Sequence, residues 1–62
     1  MTEPEFKIGD LVRVSHLLLK GDPNYGRIGL ITKIRPNPYG NIYLVLIDNL
    51  QEYYGEHSLS EV

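Results

Sequence analysis

Two β-rich runs, Arg27–Arg35 and Ile42–Asp48, flank Pro36-Asn37-Pro38-Tyr39-Gly40, and this arrangement restricts the fold more than any other stretch of the chain. Prolines remove backbone donors and fix φ, so the tip between the runs cannot itself be strand. Two such runs around a cluster of turn formers predict a hairpin. The residues before the hairpin read as one more strand and a loop, and those after it as short closing strands. The expectation is a small all-β barrel that acts by binding.

With 62 residues the chain has room for a single domain. A domain of this size buries only about 60% of the surface its unfolded chain exposes, so its stability is marginal without staples. No cysteine is present, which excludes disulfides and thiolate zinc sites. His16 and His57 are too few for an all-histidine metal site, and no cofactor is expected. Compact packing or association with another chain remains. Eight acidic residues against six basic ones give a net charge of −2, which argues against a dedicated binder of phosphate backbones. No run approaches the roughly eighteen apolar residues of a membrane span, and no signal-peptide pattern opens the chain. A cytoplasmic protein without a membrane partner or a small-molecule substrate is expected.

Read in order, residues 1–5 form a frayed, acidic start, and residues 6–62 form one domain. From Leu11 the alternation is regular, with Val12 and Val14 on one side and Leu11, Arg13 and Ser15 on the other, which predicts a first strand with the valines inward. Leu17, Leu18 and Leu19 come next and lead into a loop rich in Gly, Pro and Asn. In the second strand, read as Gly26–Ile34, Ile28, Ile31 and Ile34 recur every third position, which no regular strand can hold on one face. A bulge near Gly29 or Thr32 that bends the strand strongly resolves the conflict. The third strand, Ile42–Asp48, has two apolar faces, Tyr43/Val45/Ile47 and Ile42/Leu44/Leu46. A strand with one wet face alternates with polar residues, so something must cover the second face. The leucine run, the Phe6 segment and another molecule are the candidates. A tight connection at residues 49–51, a fourth strand over 52–55, one helical turn at 57–59 and a last short strand over 60–62 complete the chain, with Leu59 and Val62 expected in the core.

These residues resemble a known architecture. Gly9-Asp10-Leu-Val-Arg-Val, Gly26-x-x-Gly29-x-Ile31-x-x-Ile34, Tyr43-x-Val45-x-Ile47-Asp48 and Leu59-x-x-Val62 look like the small SH3-like barrels, in which the first pattern opens strand one and the second is the bent strand two. That superfamily includes KOW-type modules and the extrinsic subunit IV of photosystem I. The Pro-Asn-Pro-Tyr-Gly tip with its Tyr-x-Val strand is most similar to short uncharacterised phage and cyanobacterial proteins. The resemblance implies a five-stranded SH3-like barrel with a short helical turn before the last strand. It rests on core and turn positions and so carries no named activity. The chain lacks the tryptophan with which SH3 domains hold proline-rich peptides, and three leucines stand in its first loop.

The residues left unexplained supply the candidate sites. A protein partner or self-association is indicated by the doubly apolar third strand and the leucine run. The surface expected for it is Leu17, Leu18, Leu44 and Leu46, with Tyr53 or Tyr54 at its rim, because a rigid tyrosine ring adds contact area at little entropic cost. The alternative is a KOW-like nucleic-acid surface in which Arg13, Arg27, Lys33 and Arg35 track phosphates and Tyr25 and Tyr39 stack on bases. Each set has a plainer reading, as barrel-end packing or as a solvated face. Catalysis is not expected. Ser15-His16 and His57-Ser58 are sequence neighbours, which in a strand point to opposite faces. Asp10, Asp22 and Asp48 sit where carboxylates bond local amides in turns.

Overall fold

The computed structural model describes residues 6–15 and 21–62. Its elements are β1 (Leu11–Val14), β2 (Ile28–Arg35), β3 (Ile42–Ile47), β4 (Leu50–Gly55), a 3-10 turn over Glu56–Ser58, and β5 (Leu59–Glu61). All five strands are antiparallel members of one sheet, in the order β4-β3-β2-β1-β5. The fold is therefore all-β, five-stranded, with a short helical turn before the last strand. The ladders do not close it into a barrel: β4 and β5 are its edges. Tyr54 of β4 and Leu59 of β5 nevertheless enter the same core as the central strands.

β2 is the hub. Ile28, Gly29 and Leu30 pair with Arg13, Val12 and Leu11 of β1, while Leu30 to Arg35 pair with β3. The register shifts between Ile31 and Lys33, so the irregularity falls at Thr32. Because an extra residue switches the parity of a strand, Gly29 and Ile31 face inward before the bulge and Ile34 packs against the core after it. Ile28, grouped with Ile31 and Ile34 by its spacing, is instead exposed. The three-residue period is a bulge superimposed on alternation.

The core consists of Phe6, Val12, Val14, Ile31, Tyr43, Val45, Ile47, Tyr54 and Leu59. Val12 and Val14 face inward as their alternation indicates. Phe6 packs edge-to-face on Tyr43, with ring centroids 5.4 Å apart, and its backbone N–H donates to the Tyr43 hydroxyl at 3.3 Å. The Phe6 segment therefore covers the inner face of β3, not the outer one.

Some boundaries differ from the sequence expectation. The β3–β4 turn is Asp48-Asn49, with Asp48 at φ 56°, so β4 begins at Leu50 instead of Glu52. Aspartate tolerates this left-handed conformation better than most residues, which lets the hairpin close in two residues. The 3-10 turn starts one residue early, β5 takes Leu59, and Val62 falls outside it at 63% exposure. Leu59 alone supplies the core contact at that end. Asp10 and Asp22 act as turn residues, accepting hydrogen bonds from the backbone N–H of Lys7 (2.9 Å) and Asn24 (2.8 Å).

Candidate functional site

The ladders assign each paired strand residue to one face or the other. Residues opposite one another across a ladder share a face, and neighbours along a strand do not. Leu11 pairs with Leu30, Leu30 with Leu46, and Leu46 with Gln51. That row lies on the face opposite the core. Beside it lie Lys33, Leu44 and Tyr53, and then Arg35, Ile42 and Gly55. On the other flank Arg13 pairs with Ile28, and Ser60 of β5 lies beyond it.

The second face of β3 is thus part of an apolar stripe that crosses the sheet. Ile42, Leu44 and Leu46 are half-buried, whereas Leu11 is 56% and Leu30 37% exposed. The apparent three-residue period of β2 conceals Leu30 in the sequence, while the alternation in β1 sets Leu11 apart from the valines. Leu17 and Leu18, expected in the same surface, lie outside the described residues.

Adjacent tyrosines in β4 take opposite roles. Tyr53 is 50% exposed on the outer face, and the Arg35 guanidinium sits 5.8 Å from its ring centroid, a cation–π arrangement. Tyr54 is only 8% exposed and belongs to the core, so it is not available to a partner. Its hydroxyl accepts a hydrogen bond from Asn24 Nδ2 at 3.0 Å, which ties the loop before β2 to β4. Burial raises the Tyr54 pKa above the ordinary tyrosine value, and the negative charge of Asp22 and Glu52 adds to the shift against the opposing effect of the Asn24 bond. Thr32, at the bulge, directs its Oγ1 to the Leu44 carbonyl (3.3 Å) and to Gln51 Oε1 (3.2 Å), closing the polar margin of the stripe.

The basic residues divide. Arg13, Lys33 and Arg35 occupy outward register positions. Arg27 instead forms a salt bridge with Asp48, outside the outward positions of the strands. Tyr25 lies half-buried in the turn before β2, and Tyr39 is 93% exposed in the β2–β3 turn, where its backbone N–H bonds Asn37 Oδ1 at 2.9 Å. The six residues proposed from the sequence as a nucleic-acid surface are therefore not one patch.

Among the described residues, no group of three or more His, Cys, Asp or Glu side chains is placed to hold a metal ion. No helix among them is long and apolar enough to cross a membrane. Compared with family models, curated proteins and solved structures, the chain matches none.

Proposed function

We propose that this domain is a protein-interaction module that binds through the outer face of its sheet, without chemistry of its own. The observation that carries the reading is the second apolar face of β3, extended by Leu30 and Leu11 into a stripe that no other described element covers. An apolar sheet face is normally buried against a second layer, and an exposed apolar stripe rimmed by polar groups is the usual mark of an interaction site. Leu11, Leu30, Leu44 and Leu46 form its centre and Tyr53 its rim. An accessory or regulatory role fits a domain whose working part is one surface.

The test is panning the immobilised protein against a displayed random-peptide library, with Leu46→Lys and Leu11→Glu in parallel. Leu11 is exposed enough that its variant keeps the fold even where Leu46→Lys unfolds. Peptides enriched on the parent and lost on both folded variants support the reading. Equal enrichment on parent and variants would sink it.

A second reading rests on Arg13, Lys33 and Arg35 sharing a face: a nucleic-acid contact in the manner of KOW modules. It predicts oligonucleotide binding that falls steeply with salt, because each neutralised phosphate releases counterions. Failure to bind a labelled single strand at low salt removes it.

A further inference from the structure

Among the described residues, the acids are kept off the outer face of the sheet. The outward strand positions are Leu11 and Arg13; Ile28, Leu30, Thr32, Lys33 and Arg35; Ile42, Leu44 and Leu46; Gln51, Tyr53 and Gly55; and Ser60. They hold three cations and, among the described residues, no carboxylate, although acids outnumber bases in the chain by eight to six. Asp10, Asp22 and Asp48 lie in turns or the approach to β1, and Glu56 lies in the 3-10 turn. Glu52 and Glu61 occupy the opposite register, across from Val45 and Val12 at the two edges of the sheet. The face is cationic on an acidic protein.

The cations also stand on the two flanks of the stripe. Arg13 lies in the Ile28 row and Arg35 seven residues further along β2, so the two are separated by roughly 20 Å at the rise of an extended strand. Leu30, Leu44 and Leu46 lie between them, with Lys33 and Arg35 together on one flank.

From this placement, and resting on the interaction reading above, we infer that the outer face receives an acidic amphipathic helix of a partner protein, with aliphatic side chains seated on Leu30, Leu44 and Leu46 and carboxylates directed at Arg13 and at Lys33 and Arg35. A helix supplies the missing layer over an apolar sheet face. It spans ~20 Å in about fourteen residues. Opposite charge at both ends fixes its register and disfavours basic partners. Nucleic acid fits the face less well. Its centre is aliphatic and offers no ring for a base to stack on, and the aromatic residue present, Tyr53, already has the Arg35 guanidinium against it. Gly55 leaves the rim beside Tyr53 open, with nothing within 4 Å of where a Cβ would stand.

The test uses two synthetic helical peptides of about fourteen residues with the same leucine stripe, one with glutamates at its flanks and the other with lysines. Their affinities for the intact protein are measured by fluorescence anisotropy at low and high salt. The glutamate peptide is expected to bind on the order of tenfold more tightly, an advantage that shrinks with salt. Lys33→Glu/Arg35→Glu is expected to invert the preference, and circular dichroism checks that this variant folds. Equal affinity of the two peptides overturns the inference. So does tighter binding of a labelled oligonucleotide or of vesicles containing anionic lipid than of the glutamate peptide. A dimer in sedimentation equilibrium that Leu11→Glu dissociates makes a second copy the occupant and overturns it as well. Failure here leaves the interaction reading standing when library panning still finds Leu11-dependent peptides of other charge, and both fall when it finds none.

Discussion

The two faces of β3 are equally apolar in sequence and differ in what the fold does with them. Tyr43, Val45 and Ile47 are almost fully buried in one core with residues of β1, β2, β4, β5 and Phe6, whereas Ile42, Leu44 and Leu46 are covered only in part. A row of aliphatic residues thus states that a face avoids water and not whether the same chain or another molecule covers it. The same contrast recurs one strand away, where Ile31 is completely buried and Leu30, its neighbour in the chain, is over a third exposed.

That pair gives the sharpest way to break the comparison. Ile31→Ala is expected to cost about 3 kcal/mol, since it opens a cavity in a close-packed core, while Leu30→Ala costs well under about 1 kcal/mol in the isolated protein. Chemical denaturation of the two variants reads the difference. Equal losses would mean that the outer face is core. Glycines make a second pair. A Cβ at Gly29 would stand 2.5 Å from Val45 Cγ1, 2.7 Å from Ile47 Cγ1 and 2.8 Å from the Leu46 carbonyl oxygen. The carbonyl belongs to the β2–β3 ladder and cannot step aside cheaply. Gly29→Ala should therefore cost about 2 kcal/mol through overpacking, whereas Gly55→Ala on the outer face should leave the melting temperature unchanged or slightly raised.

Tyr54→Phe sharpens the contrast inside β4. Removing the hydroxyl deletes the Asn24 bond and should cost about 1 kcal/mol near neutral pH, whereas Tyr53→Phe should cost little. The pH dependence has a definite sign. The folded state holds the Tyr54 phenol neutral more strongly than the unfolded chain does, so this contribution is complete below the ordinary tyrosine pKa near 10 and is lost as pH rises through the higher folded value. Denaturation midpoints taken across alkaline pH should show this loss in the parent and not in Tyr54→Phe. Smallest of all is Arg27→Ala. Both side chains of the Arg27–Asp48 pair are about half exposed or more, so its removal should change stability by no more than about 0.5 kcal/mol. A larger loss in thermal melts would give that end of the sheet more weight than its exposure implies.

The turn between β2 and β3 is the most legible part of the sequence, because its residues act locally. Pro36 to Gly40 end one strand and begin the next by their own backbone preferences. Val12 and Val14, and Tyr43, Val45 and Ile47, declare a shared face by alternation alone. The candidate surface is legible in part: Leu44 and Leu46 are visible as a second apolar face, and Arg13, Lys33 and Arg35 as a basic set. Leu30 is not, because the bulge at Thr32 breaks the parity by which a strand reveals its faces. Tyr53 and Tyr54 are indistinguishable in sequence for a related reason. Both pair with apolar residues of β3, Leu44 and Tyr43, and only the register of the β3–β4 ladder decides which ring is buried.

The sequence by itself determined that this chain is a small all-β domain, where its main hairpin turns, and that it carries more apolar strand surface than one core can use. The tertiary structure alone decided which apolar face became that core, paired Arg27 with Asp48, and set Arg13, Lys33 and Arg35 on a face that holds no acid among the described residues. Periodicity is a property of neighbours along the chain. Faces and charge patches are made by residues brought together across ladders, such as Leu11, Leu30 and Leu46, whose pairing depends on a turn and a bulge elsewhere in the chain.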